Sequence, residues 1–154
     1  MESVLGLEFG FEKEYTKSDT VLDTVSDEDC FEKGNELYAE GEYKEAIRYY
    51  KKHLENHSYD YVCCYNIGVS YNKLKDDNTA LKYLFKAKHI IEKDIQNSSK
   101  NTYCNVLFNI GVVYYYKEDK RKALSYLKKA KNIKPQDMDC INAIRKVKCE
   151  LNID

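Results

Sequence analysis

The chain has 154 residues and a formal net charge of −1, and 43% of its residues are hydrophobic and 33% charged. This composition excludes an intrinsically disordered chain, and no run approaches the roughly 18 consecutive apolar residues of a membrane-spanning helix. One proline and six glycines leave few breaks, so we expect long, uninterrupted elements in a single domain.

Charge is distributed unevenly along the chain. Residues 1–29 carry nine acidic and two basic side chains, whereas residues 120–150 carry ten basic and three acidic ones. The opening segment MESVLGLEFGFEKEY lacks the basic stretch of a secretory signal, so we predict a cytoplasmic protein. Residues 1–26 are predicted to form an acidic, disordered tail. The alternative is that this tail lies along the protein's own groove or its basic C-terminal helix.

The four-residue sequence NIGV occurs at residues 66–69 and again at residues 109–112. Around it runs a longer repeat, in which a glycine is followed twelve residues later by an alanine, at Gly34 and Ala46, Gly68 and Ala80, and Gly111 and Ala123. The glycines of the first two copies are 34 residues apart and those of the second and third are 43 apart. Apolar residues recur at helical spacing in both halves of the copies, which indicates stacked pairs of amphipathic helices.

These copies resemble the tetratricopeptide repeat (TPR), a helical hairpin with small residues where its two helices cross. The third copy matches the family pattern most closely, at Leu107, Gly111, Tyr114, Ala123 and Pro135. The first copy departs from it at Lys33, His53 and Ser58. The resemblance implies an all-α fold, a right-handed α-solenoid of three TPR hairpins plus a C-terminal capping helix.

The repeat also predicts where the units begin and end. We expect the first hairpin at residues 27–60, the second at 61–103, the third at 104–137 and the capping helix at 138–154. The nine inserted residues are expected to extend the second helix of the second hairpin to about residue 97. The apolar side of the capping helix is expected to carry Met138, Ile141, Ile144, Val147 and Leu151.

In TPR proteins the first helix of each hairpin lines a concave groove that binds partners. The resemblance places asparagine, aromatic and lysine side chains there in this chain. An amide group both donates and accepts, so it is able to pair with the main chain of an extended peptide of any sequence. Aromatic neighbours add apolar contact area. The predicted groove residues are Phe31, Asn35, Tyr38, Tyr65, Asn66, Asn72, Lys73, Asn105, Phe108, Asn109, Tyr115 and Tyr116.

TPR proteins that bind chaperone tails hold a terminal carboxylate with Lys, Asn, Asn, Lys and Arg. The corresponding positions here are Phe31, Asn35, Asn66, Asn105 and Asn109. All three cations are missing, and with them the charge-assisted hydrogen bonds, so we do not expect chaperone-tail binding. The groove is more similar to that of bacterial peptide-sensing regulators, although residues 1–26 are too few for the DNA-binding domain that usually precedes their repeats.

No catalytic site, metal site or cofactor is predicted. His53 and His57 have the spacing of two zinc ligands on a helix, but no third ligand accompanies them. The six cysteines show no CxxC spacing, so we interpret them as reduced, buried thiols, with a disulfide or zinc framework as the alternative. The single glycine of NIGV lies inside a helical pattern and not in a phosphate-binding loop.

The sequence therefore predicts a non-catalytic adaptor or scaffold that binds a protein or an extended peptide and no membrane. The alternative is a regulatory subunit or nucleic-acid-associated factor that binds through the basic C-terminal helices. Nucleic acid is the less favoured partner because the chain has 22 lysines and only three arginines, and arginine is the better ligand for phosphate. Salt dependence separates the two, because phosphate binding weakens steeply with salt.

Overall fold

The computed structural model describes Leu22 and residues 24–153. In these residues seven α-helices follow one another without a β-strand: α1 (Asp27–Ala39), α2 (Tyr43–Asn56), α3 (Tyr61–Lys73), α4 (Asp77–Lys93), α5 (Lys100–Tyr116), α6 (Lys120–Ile133) and α7 (Met138–Glu150). The most extensive contacts join α1 to α2, α3 to α4 and α5 to α6, each pair contacts the next, and α7 packs on α6. The protein is an all-α solenoid of helical hairpins, as predicted.

Small residues allow the two helices of a hairpin to cross closely. A Cβ atom added to Gly111 would lie 2.8 Å from Cγ of Leu127 and 3.2 Å from the carbonyl oxygen of Ala123. Gly68 makes the equivalent contacts in the second hairpin. Because Ala123 and Leu127 are themselves buried, neither neighbour has space into which to move.

Short polar side chains begin most of the helices. Asp76, Ser99, Asp119 and Asp137 each accept a hydrogen bond from a backbone N–H in the first turn of α4, α5, α6 and α7, respectively. Asp60 accepts two such bonds at the start of α3. These side chains satisfy N–H groups that have no partner inside the helix, and so they define where each helix starts.

The nine inserted residues are shared among three places. Helix α4 has 17 residues where α2 has 14, and α5 has 17 where α3 has 13. The linker between α4 and α5 supplies the rest. The expectation that α4 continues to residue 97 is wrong, because the helix ends at Lys93. Asn97 and Ser98 fold back to hydrogen-bond to Asp94, and Ser99 already caps α5.

The apolar side of the capping helix is as expected except at Met138. Cys140 and Val147 are its buried residues, whereas Met138 is 60% exposed, contrary to the expectation for that residue. Ile144 and Leu151 pack partly buried against α6, as expected of the apolar side. Met138 precedes the buried Val147 by nine residues, about two and a half helical turns, so the two side chains lie on opposite sides of α7. Within residues 24–153, no helix combines the length and apolar character needed to cross a membrane.

Candidate functional site

A hydrogen-bonded cluster of amides joins the first two hairpins. Asn66 on α3 donates from Nδ2 to Oδ1 of Asn35 on α1, over 3.1 Å. The hydroxyl of Tyr50, on α2, donates to the same Asn35 oxygen over 2.8 Å and accepts from Asn66 at 3.5 Å. The Tyr50 side chain is completely buried, and burial raises the pKa of its phenol to about 12, so the hydroxyl is a neutral donor.

A second amide contact joins the second and third hairpins. Asn109 on α5 donates from Nδ2 to the hydroxyl of Tyr65 on α3, over 3.2 Å, and to the carbonyl oxygen of Asn105, over 2.9 Å. Burial raises the pKa of the Tyr65 phenol, which therefore also stays neutral. Together with the first cluster, this contact forms a row of amides across α1, α3 and α5. We call Asn35, Asn66, Asn105 and Asn109 the amide row.

The amide row keeps unused hydrogen-bonding capacity. Asn35 and Asn105 are exposed, whereas Asn66 and Asn109 are half-buried. Within the described part of the chain, the Nδ2 group of Asn35 and the Oδ1 atoms of Asn66 and Asn109 have no hydrogen-bond partner. The row therefore presents both donors and acceptors from side chains that neighbouring repeats hold in place.

Aromatic side chains flank the amide row at the first hairpin. The ring of Phe31 lies 5.9 Å from that of Tyr50 and 5.4 Å from that of His53, measured between centroids. Tyr38 meets Tyr43 edge to face at 5.3 Å. Both predicted groove aromatics, Phe31 and Tyr38, remain partly exposed, so each offers apolar area next to the amides.

The other end of the predicted groove lies at α5 and the capping helix. The Tyr115 hydroxyl donates to Glu150 over 2.7 Å, and Nζ of Lys146 lies 4.8 Å from the centre of the Tyr115 ring. Tyr116 is 56% exposed. A cleft of about 150 Å³ opens here, lined by Val112, Tyr115, Tyr116, Ala143 and Lys146 among others. We call it the terminal cleft.

The remaining predicted groove residues have different surroundings. Asn72 donates to Asp77 over 3.3 Å, at the turn between α3 and α4, and so takes part in closing its own hairpin. Lys73 is exposed near the same turn. Phe108 packs against the buried residues beneath α7 and is only partly accessible. The structure therefore does not join these three side chains to the amide row.

Sequence reasoning missed Tyr50 and the contribution of α7. Tyr50 occupies the repeat position that Leu84 and Leu127 occupy in the other hairpins. A tyrosine hydroxyl at a core position needs a hydrogen-bond partner, and this requirement could have pointed to Tyr50. Its ring also fills the space beside Gly34, where an added Cβ would approach it to 2.6 Å. Lys146 could not be found in this way, because its approach to Tyr115 depends on how α7 packs.

The other candidate residues are accounted for by local packing. His53 is 8% exposed and its Nε2 atom lies 3.1 Å from a carboxylate oxygen of Asp60, while the ring of His57 stacks on it at 4.4 Å. In the basic C-terminal helices, Lys120 pairs with Glu150. Lys122 pairs with Asp119, so part of this positive charge is already neutralised.

Comparison with known proteins identifies the family. Residues 12–133 match the family described as the SusR N-terminal TPR domain. The match includes residues 12–26, part of the segment expected to be a tail. No curated protein has a sequence similar enough to this chain to count as a match.

Solved structures share the fold at low identity. The first TPR domain of Spaghetti (RPAP3), bound to the HSP90 peptide SRMEEVD, is 22% identical, with a TM-score of 0.72 over 82% of this chain and 93% of that one. The TPR2AB domain of yeast Sti1, solved as a pHSP90 complex, is 21% identical, with a TM-score of 0.73 over 82% of this chain and 47% of that one. MamA is 19% identical, with a TM-score of 0.74 over 88% and 75%. The family match spans most of the chain, and the chain therefore belongs to the SusR N-terminal TPR domain family.

Proposed function

We propose that this protein is a non-catalytic adaptor that binds an extended peptide, or an extended segment of a partner protein, in the groove of α1, α3 and α5. The observation that supports this proposal is the amide row. The side chains of Asn35, Asn66 and Asn109 are held by neighbouring hairpins through hydrogen bonds of 3.1 Å and 3.2 Å, yet they keep unused donors and acceptors. Groups that are already ordered lose little conformational entropy when a ligand arrives.

The amide row suits the main chain of an extended ligand. The Oδ1 atoms of Asn66 and Asn109 are available to accept from peptide N–H groups, and Nδ2 of Asn35 is available to donate to a peptide carbonyl. Every peptide carries these groups, so the amides contribute affinity without reading side chains. We expect tolerance of different sequences along this part of the groove.

Side-chain selectivity is expected at the terminal cleft. Its volume of about 150 Å³ leaves room for an aliphatic side chain, and Val112, Tyr116 and Ala143 give it apolar walls. Burial of one such side chain contributes about 1.5–3 kcal/mol before the costs of association. The proposed ligand is therefore an extended segment with an aliphatic residue seated beside Tyr115 and Tyr116.

An acidic chaperone tail is not the ligand that we propose. The structures solved with an HSP90 peptide and as a pHSP90 complex share the fold, but the cation positions of the chaperone clamp hold Phe31, Asn105 and Asn109 here. Phe31 packs on Tyr50 and His53, and the amide donors of Asn109 are engaged by Tyr65 and Asn105. No charged group at these positions compensates for desolvating a carboxylate.

The proposal is tested by selecting peptides from a random display library on the purified protein and measuring their affinities for two variants. The groove variant changes Asn35, Asn66 and Asn109 to Ala. The matched control changes Asn78, Asn97 and Asn132 to Ala, three exposed asparagines of α4, α6 and the α4–α5 linker. At about 0.5–1.5 kcal/mol for each hydrogen bond lost, we expect the groove variant to weaken binding at least about 10-fold. The control variant should bind as the wild type does.

Equal binding by the two variants would contradict the proposal. Binding that falls steeply with salt and is unaffected in the groove variant would instead favour the alternative predicted from the sequence, a factor that binds through the basic helices α6 and α7. A cytoplasmic location remains a prediction from the sequence.

A further inference from the structure

Two cysteines and an aspartate converge where the third hairpin meets α7. Cys104 lies near the start of α5, Asp137 caps α7 and Cys140 lies in the first turn of that helix. Their two sulfur atoms and one carboxylate oxygen all lie within 4.8 Å of one another. We propose that these three side chains form a binding site for Zn²⁺, with water as the fourth ligand. This proposal does not depend on the groove.

The burial of the three side chains suits an open zinc site. Cys104 and Cys140 are each 1% exposed, whereas Asp137 is only half-buried and faces solvent on one side. Sites with three protein ligands keep one position for water, and the accessible side of Asp137 supplies the approach. Two sulfur ligands favour zinc over the harder ions Mg²⁺ and Ca²⁺, which prefer all-oxygen sites.

The distances require only a small adjustment. Zinc–sulfur bonds of about 2.3 Å in a tetrahedral site place two sulfur atoms about 3.8 Å apart, so the two sulfur atoms must close by at most about 1 Å and the carboxylate oxygen by slightly more. Side-chain rotation provides such a movement without a change in the backbone. Asp137 already accepts a hydrogen bond from the Cys140 N–H over 3.0 Å through Oδ1, which orients the carboxylate and leaves its other oxygen for the metal.

Proton release is a cost of zinc binding here, whereas the charge balance is favourable. Burial raises the pKa of both thiols, that of Cys140 to about 12, so each thiol releases one proton when Zn²⁺ binds. Two thiolates, one carboxylate and Zn²⁺ leave a formal charge of −1. The positive charge of Lys134 lies near enough to favour the thiolate of Cys104 and to offset this charge.

Cys104 and Cys63 each donate a hydrogen bond from the thiol to a main-chain carbonyl oxygen, Cys104 to Ala130 over 3.4 Å and Cys63 to Tyr50 over 3.2 Å. Metal binding would replace this bond at Cys104. Cys149 is exposed. Among the side chains that the structure describes, no other group of three His, Cys, Asp or Glu residues brings its ligand atoms so close together. A bound metal ion would connect α5 directly to α7, so its structural effect would be to hold the capping helix on the third hairpin.

The experiment uses metal-free protein kept reduced with a phosphine and titrated with ZnCl₂ against a chromogenic chelator, with a parallel titration with Co²⁺. We expect one equivalent of zinc, a thiolate-to-cobalt charge-transfer band and a higher Tm with zinc. Cys104→Ser and Cys140→Ser should each weaken zinc binding at least about 100-fold and remove the band. Cys149→Ser and His57→Ala are matched controls and should leave the affinity unchanged.

Asp137→Asn keeps the test decisive if the cysteine variants do not fold. Asparagine still caps a helix, so α7 should form, while loss of the carboxylate should weaken zinc binding about 10-fold. Absence of stoichiometric binding by the wild type would overturn the proposal. So would a cobalt band that persists without both thiols, or an Asp137→Asn affinity equal to that of the wild type.

Discussion

Gly111 and Asn109 belong to the same NIGV sequence, yet they lie on two surfaces with different properties. One surface is closely packed, and the other keeps unused hydrogen-bonding groups. At Gly111 the second helix of the hairpin is so close that an added Cβ would lie 2.8 Å from Leu127. Asn109, two residues earlier, points to the neighbouring hairpin and donates to Tyr65. The hairpin interior leaves no space for additional atoms, whereas the amide row keeps unused hydrogen-bonding groups. One repeated sequence therefore specifies both the closure of a hairpin and the surface that we propose for binding.

Gly111→Val tests the interior side of this comparison and should have the largest effect. The added atoms meet Leu127 and the carbonyl of Ala123, both fixed by surrounding packing, so we expect a loss of about 3 kcal/mol in the free energy of unfolding. Gly41→Ala is the control, because nothing lies within 4 Å of the added Cβ there and only its φ of 85° is unfavourable. That change should cost about 1 kcal/mol. Urea denaturation compares the two, and equal losses would contradict the close-packing explanation.

Tyr50→Phe tests whether the amide row is held in place from the hairpin interior. The change removes the hydroxyl that donates to Asn35 over 2.8 Å, and we expect it to cost about 1 kcal/mol in unfolding free energy. Tyr49→Phe is a matched neighbour, because its hydroxyl has no hydrogen-bond partner among the described residues, and it should cost less than about 0.5 kcal/mol. A loss in Tyr49→Phe as large as that in Tyr50→Phe would show that the hydroxyl of Tyr50 does not order the row.

Acid titration should have the smallest effect, because the two helix caps concerned remain accessible to water, Asp76 being exposed and Asp119 half-buried. Hydrogen bonds from Thr79 lower the pKa of Asp76, and those from Lys122 lower the pKa of Asp119. A carboxyl whose pKa is lower in the folded state stabilises that state above its unfolded pKa, near 3.8, and loses this contribution as the pH falls through the folded value. Denaturation from pH 5 to pH 3 should therefore show a shallower decline for Asp76→Asn combined with Asp119→Asn. An identical decline would mean that these caps do not contribute to acid sensitivity.

The fold was predictable because the residues that determine it recur in every repeat. Parts of the candidate site were not predictable because they depend on residues and contacts that occur only once in the chain. Gly68 and Gly111 recur with their alanine partners, so the repeat indicated the hairpins. The prediction for Met138 was wrong because this residue lies about two and a half turns before Val147, on the opposite side of α7. Tyr50 was missed as a site residue because it interrupts a pattern of leucines.

Contacts between distant segments were beyond prediction from spacing. Cys104 and Cys140 lie far apart in the sequence and show no metal-binding motif, and only the packing of α7 brings them together. The terminal cleft likewise forms where α5 and α7 meet. The predicted groove role of the amide row remains a hypothesis for the same reason, because a repeat position indicates which way a side chain points and not what binds it.

The most direct test of the proposed groove follows the asparagine side-chain amides by NMR. A peptide from the display selection is titrated into ¹⁵N-labelled protein, and the NH₂ signals of Asn35, Asn66, Asn105 and Asn109 are compared with those of Asn97 and Asn132. Binding in the groove predicts large shifts in the first set and small shifts in the second. Shifts confined to Asn132 and to the basic residues of α6 and α7, with the amide row unchanged, would contradict the proposed function.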